Sequence, residues 1–253
     1  MRAFYDDLAD HYHLMFRDWD GSMEYQGSVL SALIEAHAGP APRRVLDCSC
    51  GIGTQAIGLA QIGAGFEVTG TDLSPRAAAR AGREAAARGF VLPTAAADMR
   101  ALPFRDAAFD VVLSADNSVP HLLTDEAVDE ALKTMRRVLR PEGLLLLTIR
   151  DYDAIRRQRP TSTSPQVSDQ EAGRAISFQL WHWHPDGERY DLEHFQLVPT
   201  AGDTWEVGVR RATYWALTRG QLAGFAEAAG FGEVKWHEPE ETGYYQPVLT
   251  ARR

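Results

Sequence analysis

The chain has 253 residues, with 26 Lys and Arg against 35 Asp and Glu, a formal net charge of -9, and 45% hydrophobic residues. This length and apolar content suit a globular fold with a substantial core and exclude wholesale disorder. The acidic balance argues against broad nucleic-acid binding, which needs a basic surface, and no apolar run approaches the roughly 20 residues that span a bilayer.

In chain order, Met1 to Asp7 carries acids where a signal peptide needs an apolar stretch, so a cytoplasmic protein is expected. Phe4 to Phe16 reads as helical, and Ser22 to His37 as a second helix with Val29, Leu30, Leu33 and Ile34 on one face, ended by Gly39-Pro40. Alternation follows. Arg44 to Asp47 is a short strand, Thr54 to Ile62 a helix, and Phe66 to Asp72 a second strand. Ser74 and Pro75 open a helix that Gly89 closes. Pro93 to Ala97 is a weak strand and Phe109 to Ser114 a stronger one. Thr124 caps a helix with Val128, Leu132, Met135 and Leu139 at helical spacing. Pro141-Glu142-Gly143 reads as a turn into Leu144 to Ile149, a run apolar on both faces, as in a central parallel strand. Residues 156–173 are polar and read as a loop. Residues 176–198 read as a hairpin about Pro185-Asp186-Gly187, and 204–217 as a further strand. Thr218 to Gln221 has capping-box spacing, and Gly230 ends the helix it opens. Glu233 to His237 and Gln246 to Ala251 are the last strands. Strands alternating with helices predict an open, doubly wound α/β sheet.

The strongest chemical signal is Asp47-Cys48-Ser49-Cys50-Gly51-Ile52-Gly53-Thr54, between the first strand and its helix, where such sheets bind ligands. Gly51 and Gly53 let backbone approach a ligand. Asp72 ends the second strand, where a carboxylate can accept ribose hydroxyls. Gly51, Gly53 and Ala56 also fit a dinucleotide fingerprint. However, Asp47 would repel a pyrophosphate and suits a ligand carrying an ammonium and a sulfonium. Asp98-Met99 adds an acid where an adenine amino group would be met. Cys48 and Cys50 make neither a disulfide framework nor a zinc site, and no metal is expected. His182 and His184 share one face of a strand, which without a third ligand reads as ordinary strand packing.

These segments resemble the class I S-adenosylmethionine-dependent methyltransferases over roughly residues 40–155, with 218–253 fitting the same fold. The resemblance implies a Rossmann-like sheet of seven strands with the last antiparallel, and S-adenosyl-L-methionine as cofactor. Ser49 stands where many members have glycine. The implied cofactor set is Tyr12, Asp47, Ser49, Gly51, Gly53, Asp72 and Leu73, with Asp98, Met99 and Ala115 beyond. Residues 1–38 would form a helical cap, 39–155 and 216–253 the core, and 156–215 a β-rich insert acting as a substrate lid.

A closer resemblance is to the glycine and sarcosine N-methyltransferase branch. Asp116-Asn117-Ser118-Val119-Pro120-His121-Leu122 is similar to that branch's Gly-Asn-Ser-Phe-Ala-His-Leu, and Arg150-Asp151-Tyr152-Asp153 to its Arg-Asn-Tyr-Asp. By that likeness Asn117 would hold the substrate and Arg150 would clamp its carboxylate, in keeping with the bidentate fit of a guanidinium to a carboxylate. Arg150 could instead pair with Asp151 or Asp153. His121 is the candidate base, with a structural histidine as the alternative. Tyr152, Tyr190, Tyr214, Tyr244 and Tyr245 are candidate pocket residues, and Tyr5 joins Tyr12 in the segment expected over the donor. The activity this implies is methylation of a small molecule, at the nitrogen of an amino acid or related carboxylate-bearing amine. Methylation at oxygen or carbon of a secondary metabolite, an NAD-type oxidoreductase and a noncatalytic binding protein are the alternatives. No nucleic-acid or membrane partner is expected, and assembly into a homo-oligomer is left open.

Overall fold

A computed structural model describes residues 1–40, 43–63, 65–170, 173–200 and 204–253. The N-terminal segment is a short helix, α1 (Arg2–Leu8), followed by a separate 3-10 turn (Tyr12–Met15), not one continuous helix. Asp10 and His11, which lie between the two, have weak helix propensity, which favours the break. Next come α2 (Trp19–Ala38), β1 (Arg43–Asp47), α3 (Thr54–Ile62), β2 (Phe66–Asp72), α4 (Pro75–Ala87) and β3 (Thr94–Ala96). Then follow β4 (Phe109–Ser114), α5 (Asp125–Val138), β5 (Leu139–Thr148) and α6 (Tyr152–Gln158). The remainder is β6 (Gln166–Gln170), β7 (Gly173–Trp183), β8 (Arg189–Pro199), β9 (Trp205–Trp215), α7 (Arg219–Ala228), β10 (Gly232–His237), α8 (Pro239–Thr242) and β11 (Val248–Arg252).

Side-chain oxygens of Ser74 and Thr124 cap α4 and α5, and Thr218 with Gln221 forms a capping box on α7, as their spacing predicted. Asp18 caps α2, so that helix begins at Trp19, three residues before the expected start at Ser22.

Among the described residues the main sheet has seven strands in the order β10-β11-β5-β4-β1-β2-β3. The strands from β1 to β5 run parallel, while β11 is antiparallel to both β5 and β10. An antiparallel β11 between β5 and β10 interrupts the all-parallel order of a dinucleotide-binding sheet. β4 and β5 are buried on both faces: Val112, Leu145 and Leu147 pack in one core cluster, Val111, Leu113, Leu144 and Leu146 in the other. α2 and α3 cross closely at Gly27 and Gly58, where a Cβ on Gly58 would overlap the Met23 carbonyl. This sheet brings Asp47, Asp72, Ser114 and Thr148 to one edge.

Two further expectations are corrected. Pro141-Glu142-Gly143 is not a turn ahead of a strand but lies inside β5, where the β4–β5 register slips between Phe109 and Val111. Glu142 absorbs the irregularity with φ 62, a bulge in one strand. The expected loop over 156–173 contains the end of α6 and all of β6; residues 171 and 172 lie outside the described residues. Asp151 caps α6 by accepting from Ala154 N at 3.0 Å, and Arg159, with φ 45, ends it. β6 is a polar edge strand whose ladder comes from β7, so pairing rather than hydrophobicity defines it. The antiparallel sheet β6-β7-β8-β9 stands between α6 and α7.

Candidate active site

β1 ends at Asp47, which is buried. Its Oδ1 accepts from Ser49 N at 3.2 Å, and its Oδ2 has no partner among the described residues. Burial drives the carboxyl up to about 8, helped by the nearby charges of Asp72 and Asp116. The following loop turns through Gly51, with φ +51 and open space where a Cβ would stand. Gly51 N donates to Asp72 Oδ2 at 2.9 Å, and Ser74 N donates to Asp72 Oδ1 at 2.8 Å. Each Asp72 oxygen therefore keeps a lone pair free for a further donor. Gly53, with φ +101, lies beside α3, where a Cβ would press on Ile57 at 2.8 Å. Its part is close helix packing, and it does not line the cavity.

Above the loop is a cavity of about 330 Å³, bounded by Tyr5, Tyr12, Ser49, Gly51, Asp72, Leu73, Asp98, Met99 and His121. Of the expected cofactor residues, Tyr12, Ser49, Gly51, Asp72, Leu73, Asp98 and Met99 thus meet on one wall. Ala115 is buried behind it, its carbonyl accepting from Ser118 Oγ at 3.0 Å. Asp98 is shared: Arg100 grips it with Nη2 at 2.6 Å from Oδ2 and Nε at 3.0 Å from Oδ1. The Tyr5 hydroxyl and His121 Nε2 are 2.5 Å apart, and the His121 ring packs 4.0 Å from that of Tyr214. Burial, aided by the Arg150 charge, pulls His121 down to about 3. So weakly basic a ring, already bonded to Tyr5, is suited to fixing the N-terminal segment and not to the base role read from sequence.

A second cavity of about 540 Å³ shares Tyr12 with the first and is bounded by Asp116, Asn117, Arg150, Tyr245 and Gln246 among others. Asn117 and Arg150 are joined, Arg150 N donating to Asn117 Oδ1 at 3.1 Å. The Arg150 guanidinium donates to the Tyr190 hydroxyl at 3.1 Å and lies 5.0 Å from the Trp181 ring and 5.7 Å from that of Tyr214. Asp151 and Asp153 both turn to Arg219, at 3.6 and 3.2 Å. The ion pair considered for Arg150 is therefore absent, and among the described residues no carboxylate pairs with it. Tyr152 and Tyr190 are fully buried and off the cavity wall, a correction to their place as pocket residues. They brace the wall instead: their hydroxyls are 3.0 Å apart, and Asn117 Nδ2 donates to that of Tyr152 at 2.9 Å. Tyr245 is on the wall and bonded to Asp116, a residue assigned no role from the sequence. The available signal was an acid at the carboxyl end of β4 where the resembled motif has glycine.

Residues 45–143 match the family described as methyltransferase domain. The chain is 34% identical over 156 residues to a glycine/sarcosine N-methyltransferase from Parasynechococcus marenigrum, covering 61% of this chain and 53% of that protein. It is 32% identical over 145 residues to a demethylmenaquinone methyltransferase from Thermus thermophilus, covering 56% of this chain and 62% of that protein. The matches thus take in little more than half the length of these curated relatives. Among solved structures, S-adenosylmethionine-bound CalS10, an amino pentose methyltransferase from Micromonospora echinaspora, superposes with TM-score 0.72 at 23% identity, covering 96% of this chain and 94% of that one. The chain matches a methyltransferase domain over residues 45–143 and has the fold of S-adenosylmethionine-dependent methyltransferases, as the sequence motifs implied. No helix of the described residues is long and apolar enough to cross a membrane.

Proposed function

We propose that this methyltransferase uses S-adenosylmethionine to methylate the nitrogen of a small amine that carries a carboxylate. The residues present fit that donor. Asp47 offers a buried, unpartnered oxygen to a cation, Gly51 leaves room for close approach, and Asp72 has capacity for two ribose hydroxyls. When bound, the donor supplies a methyl group already activated by a sulfonium. The chain's own task is then to place an acceptor and exclude water, and positioning of this kind is worth on the order of 7 kcal/mol or more. Tyr5 and Tyr12 roof the donor cavity, and Tyr12 also borders the second cavity, which takes the acceptor. The β6–β9 sheet, within residues 156–215, acts as the acceptor lid.

One observation carries the choice of acceptor: Arg150 is a half-buried guanidinium at the cavity wall, and no carboxylate of the described residues pairs with it. A cation partly withdrawn from water without a counter-ion is costly, and a substrate carboxylate supplies one. The test is donor turnover against a panel of amines and amino acids, for the wild type and Arg150→Ala. Removing a buried charge partner costs about 3 kcal/mol, or roughly 100-fold in kcat/KM for carboxylate-bearing acceptors. Donor affinity and turnover of amines lacking a carboxylate should change little. A variant that methylates its best carboxylate-bearing acceptor at the wild-type rate refutes the clamp.

A further inference from the structure

Asp116 follows β4 in a left-handed backbone conformation, φ 56, and Asn117 continues it with φ 69. Two successive non-glycine residues in this region are strained, and such strain persists only where surrounding contacts hold it. Here Asp116 N donates to Thr148 Oγ1 at 2.9 Å, and Thr148 in turn donates to Gln246 Oε1 at 2.8 Å. The carboxylate is fixed from three sides. The hydroxyls of Tyr244, at 2.7 Å, and Tyr245 donate to Oδ1, and Gln55 Nε2 donates to Oδ2 at 2.6 Å. All of these partners are neutral, and no cation of the described residues pairs with Asp116.

The second cavity therefore presents two charges of opposite sign, Asp116 and Arg150, each hydrogen-bonded to neutral groups and not ion-paired with the other. Such a wall complements a molecule that carries both a cation and an anion. We propose that Asp116 receives the ammonium of a zwitterionic amino-acid acceptor and takes its proton, while Arg150 holds the carboxylate; this rests on the function proposed above. In that step an N–H bond of the ammonium breaks and an O–H bond forms on Asp116. The nitrogen keeps the electron pair, which is then free for the methyl group. The proton rests on Asp116 and passes to solvent when the product leaves. Asp47 has an unpartnered oxygen of its own for the donor's cation, so Asp116 is not needed there.

The surroundings agree with a proton acceptor. Burial holds the Asp116 carboxyl above the usual carboxylate range, against the opposing pull of Tyr245, Tyr244, Gln55 and Arg150. The other titratable groups that sense its charge are Tyr12 from the N-terminal segment and Asp47 at the end of β1.

The test compares wild type with Asp116→Asn, a residue that tolerates the left-handed backbone, and with Asp116→Gly as a second variant free of backbone strain. The probes are glycine, sarcosine and β-alanine, with ethylamine as the acceptor that lacks a carboxylate. At saturating donor, wild-type kcat/KM should change little over about pH 7 to 9, because below the titration of the amine enzyme and substrate together hold one proton. Without Asp116 only the free amine reacts, so both variants should lose about 100-fold at pH 7 and regain about tenfold per pH unit above it. Donor affinity by calorimetry should stay within about twofold. Variants with the wild-type pH profile overturn the proposal. A profile left unchanged with donor affinity weakened tenfold or more reassigns Asp116 to the donor. Donor binding with no probe methylated overturns the functional reading along with it.

Discussion

If the donor's cation lies against Asp47, its binding must be linked to a proton. In the free site burial keeps the Asp47 carboxyl near 8, so at neutral pH it is mostly protonated. A cation binds the ionised form, which amounts to about 1% at pH 6 and about 9% at pH 7. Donor affinity should therefore rise about ninefold over that unit of pH, about 1.3 kcal/mol, with nearly one proton released per donor bound. This window lies below the titration of an α-amino group, so the donor stays charged throughout. Calorimetry at pH 6 and 7, in buffers of different ionisation enthalpy, reads both quantities. Asp47→Asn should bind more weakly, release no proton and lose the pH dependence. Equal wild-type affinities at the two pH values, or a pH dependence that survives in Asp47→Asn, would refute the reasoning. The raised carboxyl also acts on folding. Its contribution to stability is present at low pH and is lost as pH rises through about 8.

Other outcomes are equally direct. Gly58→Ala places a methyl group on the Met23 carbonyl and forces α2 from α3; a cost of about 3 kcal/mol should lower the melting temperature by about 6–12 °C, and an unchanged melting curve would show that the crossing is loose. Burial pulls His121 to about 3, so it is neutral when folded and its stabilising contribution is lost as pH falls below about 6.5. Denaturant titrations between pH 6 and 4.5 should show His121→Asn losing about 1.4 kcal/mol less per pH unit than wild type, and parallel curves would contradict this. Tyr5→Phe removes the bond to His121; at about 1.4 kcal/mol, amide exchange over residues 2–15 should quicken about tenfold, and unchanged protection would mean that packing alone holds the segment.

The parts of the fold that could be read from sequence are those where one local rule decides. Ser74, Thr124 and Thr218 each had a single good cap geometry, and each took it. Leu144 to Leu147 could only be buried on both faces, and is. The turn after β1 that meets Asp72 followed from the strand, glycines and distant acid taken together. What escaped depends on partners far away in the chain. β6 is a strand because β7 pairs with it, and nothing in Gln166 to Gln170 announces that. The bulge at Glu142 reflects register against β4. Arg150 could be separated from Asp151 and Asp153 only by seeing Arg219 take both. The surroundings of Asp116 could not be read from its motif, because its partners Tyr244, Tyr245 and Gln55 are all distant in sequence.

Arg156, on α6, donates from Nε to the Ala216 carbonyl at 2.7 Å and from Nη2 to Gln221 Oε1 at 2.9 Å, while Arg219, on α7, reaches back to Asp153. The point where the chain leaves the main sheet and the point where it returns are thus fastened side by side. Everything between them is a cassette on a fixed socket. A graft that keeps Asp153, Arg156, Arg219 and Gln221 should let the β6–β9 segment be lengthened, shortened or exchanged without disturbing the register of the strands beneath.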